Sequence, residues 1–537
     1  MSERVLLGDE AIGLGAVHAG LSAAYSYPGT PATEILEFLL VYAKKHGRPH
    51  VAWTTNEKTA FEQALGTCCA GRRALVSMKH VGLNVAADPF MNSALVNMHG
   101  GLIVAVADDP GMHSSQNEQD SRFYADFARV ICLEPANQQE AYDMARTGLD
   151  LSERFGVPAL MRLVTRLAHS RTAVKLSEPR PENPVKKAPV RGQWILLPNN
   201  ARRYFRSLIE RQKELVAWSE SCPWNTLALN GERRELGVIT AGIARNYYLE
   251  HLEELGWQPS HLHVGAYPLP VDRIRRLAAH VKRVLVLEDG YPLIERQLRG
   301  LLPQSLEVAG RMSGEVPPDG ELNPDLVRAA LGLPARPGLS LAGLTLPNRP
   351  PQLCSGCPHG HMFKALNKAL EPYAESVVTS DIGCYTLGAL PPYNAVETCV
   401  CMGASVGMAK GAAEAGLHPV VATIGDSTFL HSGTTNLMDA AAANTNMTLL
   451  ILDNQAVAMT GGQPTIVPSS RLREVVLGLG VDPKHLHVLE AMPRNVDANT
   501  EVLRREIEYQ GLSVVIAVRE CLETAKRKKR VAAAAAV

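Results

Sequence analysis

An acid and an amide close two apolar runs late in the chain: Asp426 follows residues 420–424, and Asn454 follows residues 447–452. Short, wholly apolar runs read as buried parallel strands, and parallel strands deliver their C-terminal residues to one sheet edge. Gly425-Asp426-Ser427 turns the first run into a helix-length stretch over 430–444. Asp426, Asn454 and the backbone carbonyl of Ala456 would offer three oxygens to a small hard cation, which commonly bridges phosphates instead of sitting in an all-protein cage. Gly425 lets the backbone come close to such a phosphate. Gly-Asp-Ser alone is an ordinary strand-to-helix turn. Paired with an Asn at this distance, it reads as the Mg2+–diphosphate half of a thiamine diphosphate (ThDP) site.

Four cysteines make a second constellation. Cys354 and Cys357 form a CxxC before a helix beginning near His359, Cys384 ends a strand-like run, and Cys521 follows the last strand. If the parallel reading holds, Cys384 and Cys521 converge on the CxxC loop. Four thiolates so placed suit a [4Fe–4S] cluster or a structural zinc, and the CxxC alone could be a redox dithiol. A ThDP site favours the cluster, because oxidation after decarboxylation needs an electron exit. Cys399 and Cys401 are rival ligands, but they open a small-residue helix and read better as packing. Cys68, Cys69, Cys132 and Cys222 sit in ordinary contexts and read as plain thiols.

ThDP works only when a carboxyl group faces ring nitrogen N1′ of its aminopyrimidine. Such an acid should follow a strand and open a helix, in a domain other than the diphosphate-binding one. Glu57 fits, following residues 51–55 and opening a helical stretch. Acids at helix N-termini are also favoured by the dipole alone.

The elements that position these residues alternate throughout. Strand-like runs at 21–27, 51–55, 74–79, 102–107 and 158–164 lie between amphipathic helices, then recur at 236–241, 261–266 and 283–288. The sequence therefore predicts an α/β protein of three parallel-sheet domains: 1–175, a linker and helix over 176–234, 235–340, 350–525, and a disordered, solvated tail at 526–537. A Pro/Gly-rich stretch over 333–351 separates the second domain from the third. Among 537 residues, 54 are basic and 54 acidic, giving zero formal charge, which argues against nucleic-acid or anionic-membrane binding. Ten cysteines are too few for a disulfide scaffold. The first residues lack a signal-peptide core, and no run of about 18 apolar residues suggests a membrane span. A soluble cytoplasmic protein is expected.

Several longer stretches carry a resemblance. They include Tyr-Pro-Gly-Thr-Pro (27–31), Asn-Glu-Lys (56–58), residues 78–89 and 108–122, Cys-Ser-Gly-Cys-Pro-His (354–359), residues 381–392 and 401–405, Gly-Asp-Ser-Thr-Phe (425–429), and residues 459–464. Over nearly the whole chain they resemble alpha subunits of indolepyruvate:ferredoxin oxidoreductases, within the ThDP-dependent 2-oxoacid:ferredoxin oxidoreductase family. The resemblance implies a pyrimidine-binding domain with Glu57 activating ThDP and Thr30 near the substrate carbonyl. It implies a middle transketolase C-terminal-like domain and a diphosphate domain that binds Mg2+ through Asp426, Asn454 and Ala456. Thr460, Gly461, Gly462 and Gln463 would lie beside the cofactor, and Cys354, Cys357, Cys384 and Cys521 would hold one [4Fe–4S] cluster. Such subunits usually continue into a ferredoxin-like domain, whereas this sequence stops soon after Cys521. The outer electron relay would then be missing.

The implied reaction is oxidative decarboxylation of an arylpyruvate with coenzyme A, giving an arylacetyl-CoA. Electrons would pass to ferredoxin or another acceptor. A separate gamma/beta-type catalytic subunit and a dimer of heterodimers are the implied partners. Lys79, His80, Arg122, His359 and His431 are candidates for holding the substrate carboxylate or oxyanion. Indolepyruvate, phenylpyruvate, hydroxyphenylpyruvate and phenylglyoxylate-like acids all remain open. The rival readings are a non-oxidative ThDP decarboxylase and a zinc-stapled structural subunit.

Overall fold

The computed structural model describes residues 3–187, 192–338, 343–345, 347 and 351–535. The chain forms two compact units, Met1–Ser340 and Leu341–Val537. Part of the Pro/Gly-rich stretch 333–351 lies outside the described residues.

Unit one holds two main sheets. The larger has seven strands in the order Ala266–Tyr267, Ile131–Leu133, Ala159–Val164, Leu102–Asp108, Ala74–Lys79, Ala23–Ser26 and His50–Trp53. Ala74–Lys79 and Leu102–Asp108 are buried at every position, which is why they read as unbroken apolar runs. Helix Gln138–Phe155 is fixed at both ends: the Asn137 side chain accepts from the Glu140 amide, and Gly156 takes the left-handed cap at φ 62°. The second sheet runs Glu307–Ala309, Arg283–Leu287, Leu236–Ala241, Ser260–Val264 and Thr226–Ala228, parallel except for the last edge strand.

The two predicted domains of this unit are stitched together. Ala266–Tyr267 leaves the second sheet's chain path to pair antiparallel with Ile131–Leu133 of the first. The expected linker also runs seated on the first sheet's helices, where Arg180 N–H donates to the His18 carbonyl and Lys186 N–H to that of Ala70. It then enters helix Pro198–Ser221, inside the linker and helix expected over 176–234.

Unit two is one parallel sheet in the order Val377–Thr379, Val420–Gly425, Met447–Asp453, Leu512–Val518 and Leu486–Glu490. The helix expected over 430–444 is broken: Phe429–Gly433 is a π-helical turn and Thr434–Ala442 is α-helical. The expected disordered tail is corrected to a helix, Leu522–Ala535. Its alanines are strong helix formers, and a Lys526–Glu523 pair at 2.7 Å lines its face.

Candidate functional site: a carboxylate pair and a thiol-lined cavity

In unit two the carboxyl edge of the sheet gathers the predicted residues. Asp426 begins the helical turn directly after strand Val420–Gly425, and Asp453 and Asn454 leave strand Met447–Asp453. Asp426, Asp453 and Asn454 are all buried. The Gln455 N–H donates to Asp426 Oδ2 at 3.0 Å and to Asp453 Oδ1 at 3.1 Å, so one amide binds both acids together. Burial first, and the Asp453 charge second, hold the Asp426 carboxyl well above the usual carboxylate range. Among the described residues no basic group pairs with these two buried acids, and that deficit fits a divalent cation.

Asn454 is held from three sides. Its Oδ1 accepts from the Ala456 N–H at 3.1 Å, its Nδ2 lies 3.2 Å from His359 Nε2, and its carbonyl accepts from the Cys521 N–H at 3.0 Å. Full burial lowers His359 to about 4, so its ring is neutral. Gly425 has an ordinary φ of −80°; an added Cβ would come 2.7 Å from the Tyr385 ring. The close neighbour that this glycine admits is therefore an aromatic ring of the chain itself. Ser427 is half-buried on the same turn.

Residues 457–463 close on themselves. The Thr460 hydroxyl donates to Gln463 Oε1 at 2.7 Å, and Gln463 Nε2 donates to the Thr460 carbonyl at 2.8 Å. Gly461 and Gly462 take φ of 125° and 77°, conformations that favour glycine. From the C-terminal helix, Arg527 donates to the carbonyls of both glycines. The basic run predicted to be solvated thus includes a residue that secures this loop.

Cys354, Cys357, Cys384 and Cys521 all line one cavity of about 60 Å³, together with His359 and Asn454. Cys357 caps helix Pro358–Leu370, and the CxxC turn closes through the Cys357 N–H to the Cys354 carbonyl at 3.0 Å, with Gly356 at φ 77°. Burial, then the other three thiols, push Cys384 up to about 12. A cavity that disfavours thiolates so strongly, yet gathers four cysteines, fits a positively charged metal group that would stabilise them. Cys399 and Cys401 are exposed and do not line it.

Sequence reasoning passed over two residues here. Asp453 carries no role in the sequence reading, although its acid follows the apolar run directly. Asp381, buried and raised to about 6 mainly by desolvation, accepts from the Gly403 N–H at 3.0 Å and the Ser405 hydroxyl at 2.7 Å. It anchors the loop that carries Cys384.

In unit one Glu57 is buried and is the first residue of helix Glu57–Cys69, whose start is fixed by Asn56 accepting from the Thr59 N–H at 2.9 Å. Gly82 lies against it: a Cβ there would come 2.6 Å from Glu57 Oε1. Thr30 is half-buried in the turn before helix Thr33–His46. Lys79 is buried, and desolvation lowers it to about 8; its Nζ donates to the Ser114 carbonyl at 2.6 Å. His80, also lowered by burial, sits 3.2 Å from the Asn117 carbonyl.

Arg122 is fully buried in an ionic network. It meets Asp120 and Glu288, the latter at 3.0 Å, while Arg162 meets Asp108 at 2.6 Å and Glu134. Its guanidinium also donates to the Tyr291 carbonyl at 2.8 Å. These partners, many from the second sheet's loops, occupy the donors that the sequence reading offered to substrate. His431 is buried in the π-helical turn.

Residues 14–196 match the family described as pyruvate flavodoxin/ferredoxin oxidoreductase, thiamine diphosphate-binding, and residues 381–516 match the C-terminal TPP-binding domain of thiamine pyrophosphate enzymes. The chain is thus an oxidoreductase with thiamine diphosphate-binding domains. It is 36% identical to the indolepyruvate oxidoreductase subunit IorA of Archaeoglobus fulgidus, over 98% of this chain and 87% of that one. It is 37% identical to the IorA of Methanothermobacter thermautotrophicus, over 96% of this chain and 86% of that one. The chain belongs to the indolepyruvate oxidoreductase subunit IorA family. A solved 2-oxoglutarate:ferredoxin oxidoreductase from Magnetococcus marinus is similar at 18% identity and a TM-score of 0.48, over 57% of this chain and 62% of that one, too slight to carry an argument. Among the described residues no helix is long and apolar enough to cross a membrane.

Proposed function

We propose that the chain catalyses CoA-dependent oxidative decarboxylation of an indolepyruvate-like arylpyruvate to an arylacetyl-CoA and CO2. Cys354, Cys357, Cys384 and Cys521 would hold one [4Fe–4S] cluster, which would supply the electron exit to ferredoxin or another acceptor. The observation that carries this reading is the cavity where all four thiols meet Asn454 and His359. A cluster is favoured over zinc because oxidation of the substrate needs an electron exit, which redox-inert zinc does not offer.

ThDP supplies, when bound, the electron sink that lets a 2-oxo acid lose CO2. Asp426, with Asn454 and the Ala456 carbonyl, would hold Mg2+ and orient the diphosphate, and Asp453 adds charge behind Asp426. Gly461 and Gly462, in the loop that Thr460, Gln463 and Arg527 stiffen, would let the backbone lie along the cofactor. Glu57 would hold a proton at ring nitrogen N1′, and Gly82 leaves space for its carboxylate. Thr30 and the neutral His80 would face the substrate's oxo group. Lys79, with a lowered proton affinity, is the better cation for a substrate carboxylate, because Arg122 is occupied by acids. The family's subunit naming supports further subunits; a separate gamma/beta-type partner, a dimer of heterodimers and a cytoplasmic setting complete the proposal.

Anaerobic purification with a co-expressed partner tests the whole reading. About four iron atoms per chain, a broad visible band and arylpyruvate-dependent dye reduction are expected. Cys384→Ser should lose iron and dye reduction while ThDP stays bound. An iron-free protein that releases aldehyde would instead be a non-oxidative decarboxylase. A zinc-loaded protein without ThDP affinity would be a structural subunit.

A further inference from the structure

A second constellation lies in unit one, outside the residues assigned to the reaction. Asp9 stands in the first turn of helix Gly8–His18 with no exposure, and neither of its carboxylate oxygens meets a hydrogen-bond donor among the described residues. Leaving a buried polar group without a partner is unfavourable, so a ligand for it is implied. The helix is fixed there, because a Cβ on Gly8 would collide with the Leu167 carbonyl.

Two further elements aim donors at the same point. Glu34 lies in the first turn of helix Thr33–His46, and His169 ends helix Thr165–His169. One donor atom from each of Asp9, Glu34 and His169 lies within 4.8 Å of the others, with His169 Nε2 3.4 Å from Glu34 Oε2. The Glu34 and His169 side chains are 34% and 36% exposed, which opens the group to solvent. The other charges acting on Asp9 and His169 are Glu10 and Asp109, both acids. The electrostatics therefore call for a cation.

We propose that Asp9, Glu34 and His169 bind one divalent transition ion of the zinc class. Two carboxylate oxygens and one imidazole nitrogen suit such an ion, and the exposed side leaves room for solvent ligands. Binding would replace the proton of the Asp9 carboxyl, which burial and Glu34 hold well above its usual range. It would also displace the proton that Glu34 favours on His169. The ion would tie together three helices, one of which follows the turn carrying Thr30.

The test is calorimetric titration with ZnCl2 of the full chain, already loaded with its cysteine-bound metal group and Mg2+–ThDP. Wild type is compared with Asp9→Asn and His169→Ala. The expected result is one more zinc equivalent for wild type than for either variant, released protons, and about tenfold weaker binding at pH 6 than at pH 7.5. Equal uptake by wild type and either variant overturns the proposal, and Asp9 is then simply a neutral buried acid. Should Asp9→Asn fail to fold, His169→Ala and a zinc-edge anomalous map of soaked wild-type crystals decide. A peak among the three side chains is expected, and no peak there overturns the site.

Discussion

Both units bury clusters of ionisable groups, and the clusters are built on opposite principles. In unit one, Arg122 and Arg162 lie among Asp108, Asp120, Glu134 and Glu288, every acid within reach of a guanidinium. In unit two, Asp426 faces Asp453, and four thiols face one another, with no basic group in the cavity beyond the neutral His359. A closed network neutralises itself and works as architecture. An open one stays repulsive until something positive arrives, and so works as a receptor. Burial of charge does not by itself mark an active site; the absence of internal compensation is what separates the two.

The sharpest way to break this contrast is Asp426→Asn. Turnover with ThDP should fall on the order of 10⁴-fold, about 5 kcal/mol, while the coenzyme-free protein melts higher because a like-charge contact is gone. Loss of both activity and stability would make Asp426 architectural. Next comes Arg122→Met, which leaves Glu288 without a cation and Asp120 with Arg162 alone at 3.6 Å, and should destabilise by about 3–5 kcal/mol in denaturant titration. Adding Glu288→Gln should restore part of that loss.

The pH dependence of stability separates the clusters further. Each acid with a raised folded-state value stabilises fully below its unfolded value of 3.8, and that contribution is lost as pH climbs through the folded value. Asp108 and Asp289 lie at about 6, so their loss is nearly complete by neutrality. Asp426 lies well above 3.8. Melting of the metal-free protein should therefore keep declining above pH 7, by up to about 1.4 kcal/mol per pH unit. That late decline should shrink in Asp426→Asn or on adding Mg2+–ThDP, leaving the part that belongs to Asp9. The smallest effect is Gly82→Ala. The new methyl group would displace the Glu57 carboxylate and reduce turnover roughly tenfold. Stability should barely change, because alanine favours the short helix His80–Val85.

Much of the site was legible because chemistry and strand ends coincide in sequence. Residues 74–79 and 236–241 match strands Ala74–Lys79 and Leu236–Ala241 to the residue, and Asp426 and Asn454 follow their strands as the apolar runs required. Pairings made at long range were not legible. Glu3–Leu7 pairs antiparallel with Arg171–Lys175, but both are mostly exposed and carry no apolar run. Ile131–Leu133 is too short for any periodicity to declare it. Arg122 reads as a free cation until Glu288, distant in sequence, is folded against it. The terminal basic run reads as solvated because nothing local reveals that Arg527 reaches the loop of Gly461 and Gly462.

The amide of Cys521 bonded to the carbonyl of Asn454 has one more consequence. A thiol that lines the cavity and the loop proposed to grip the diphosphate move as one mechanical piece. Where that thiol holds the proposed cluster, losing the cluster to oxygen should slacken the grip, and the protein should shed its vitamin-derived coenzyme as well.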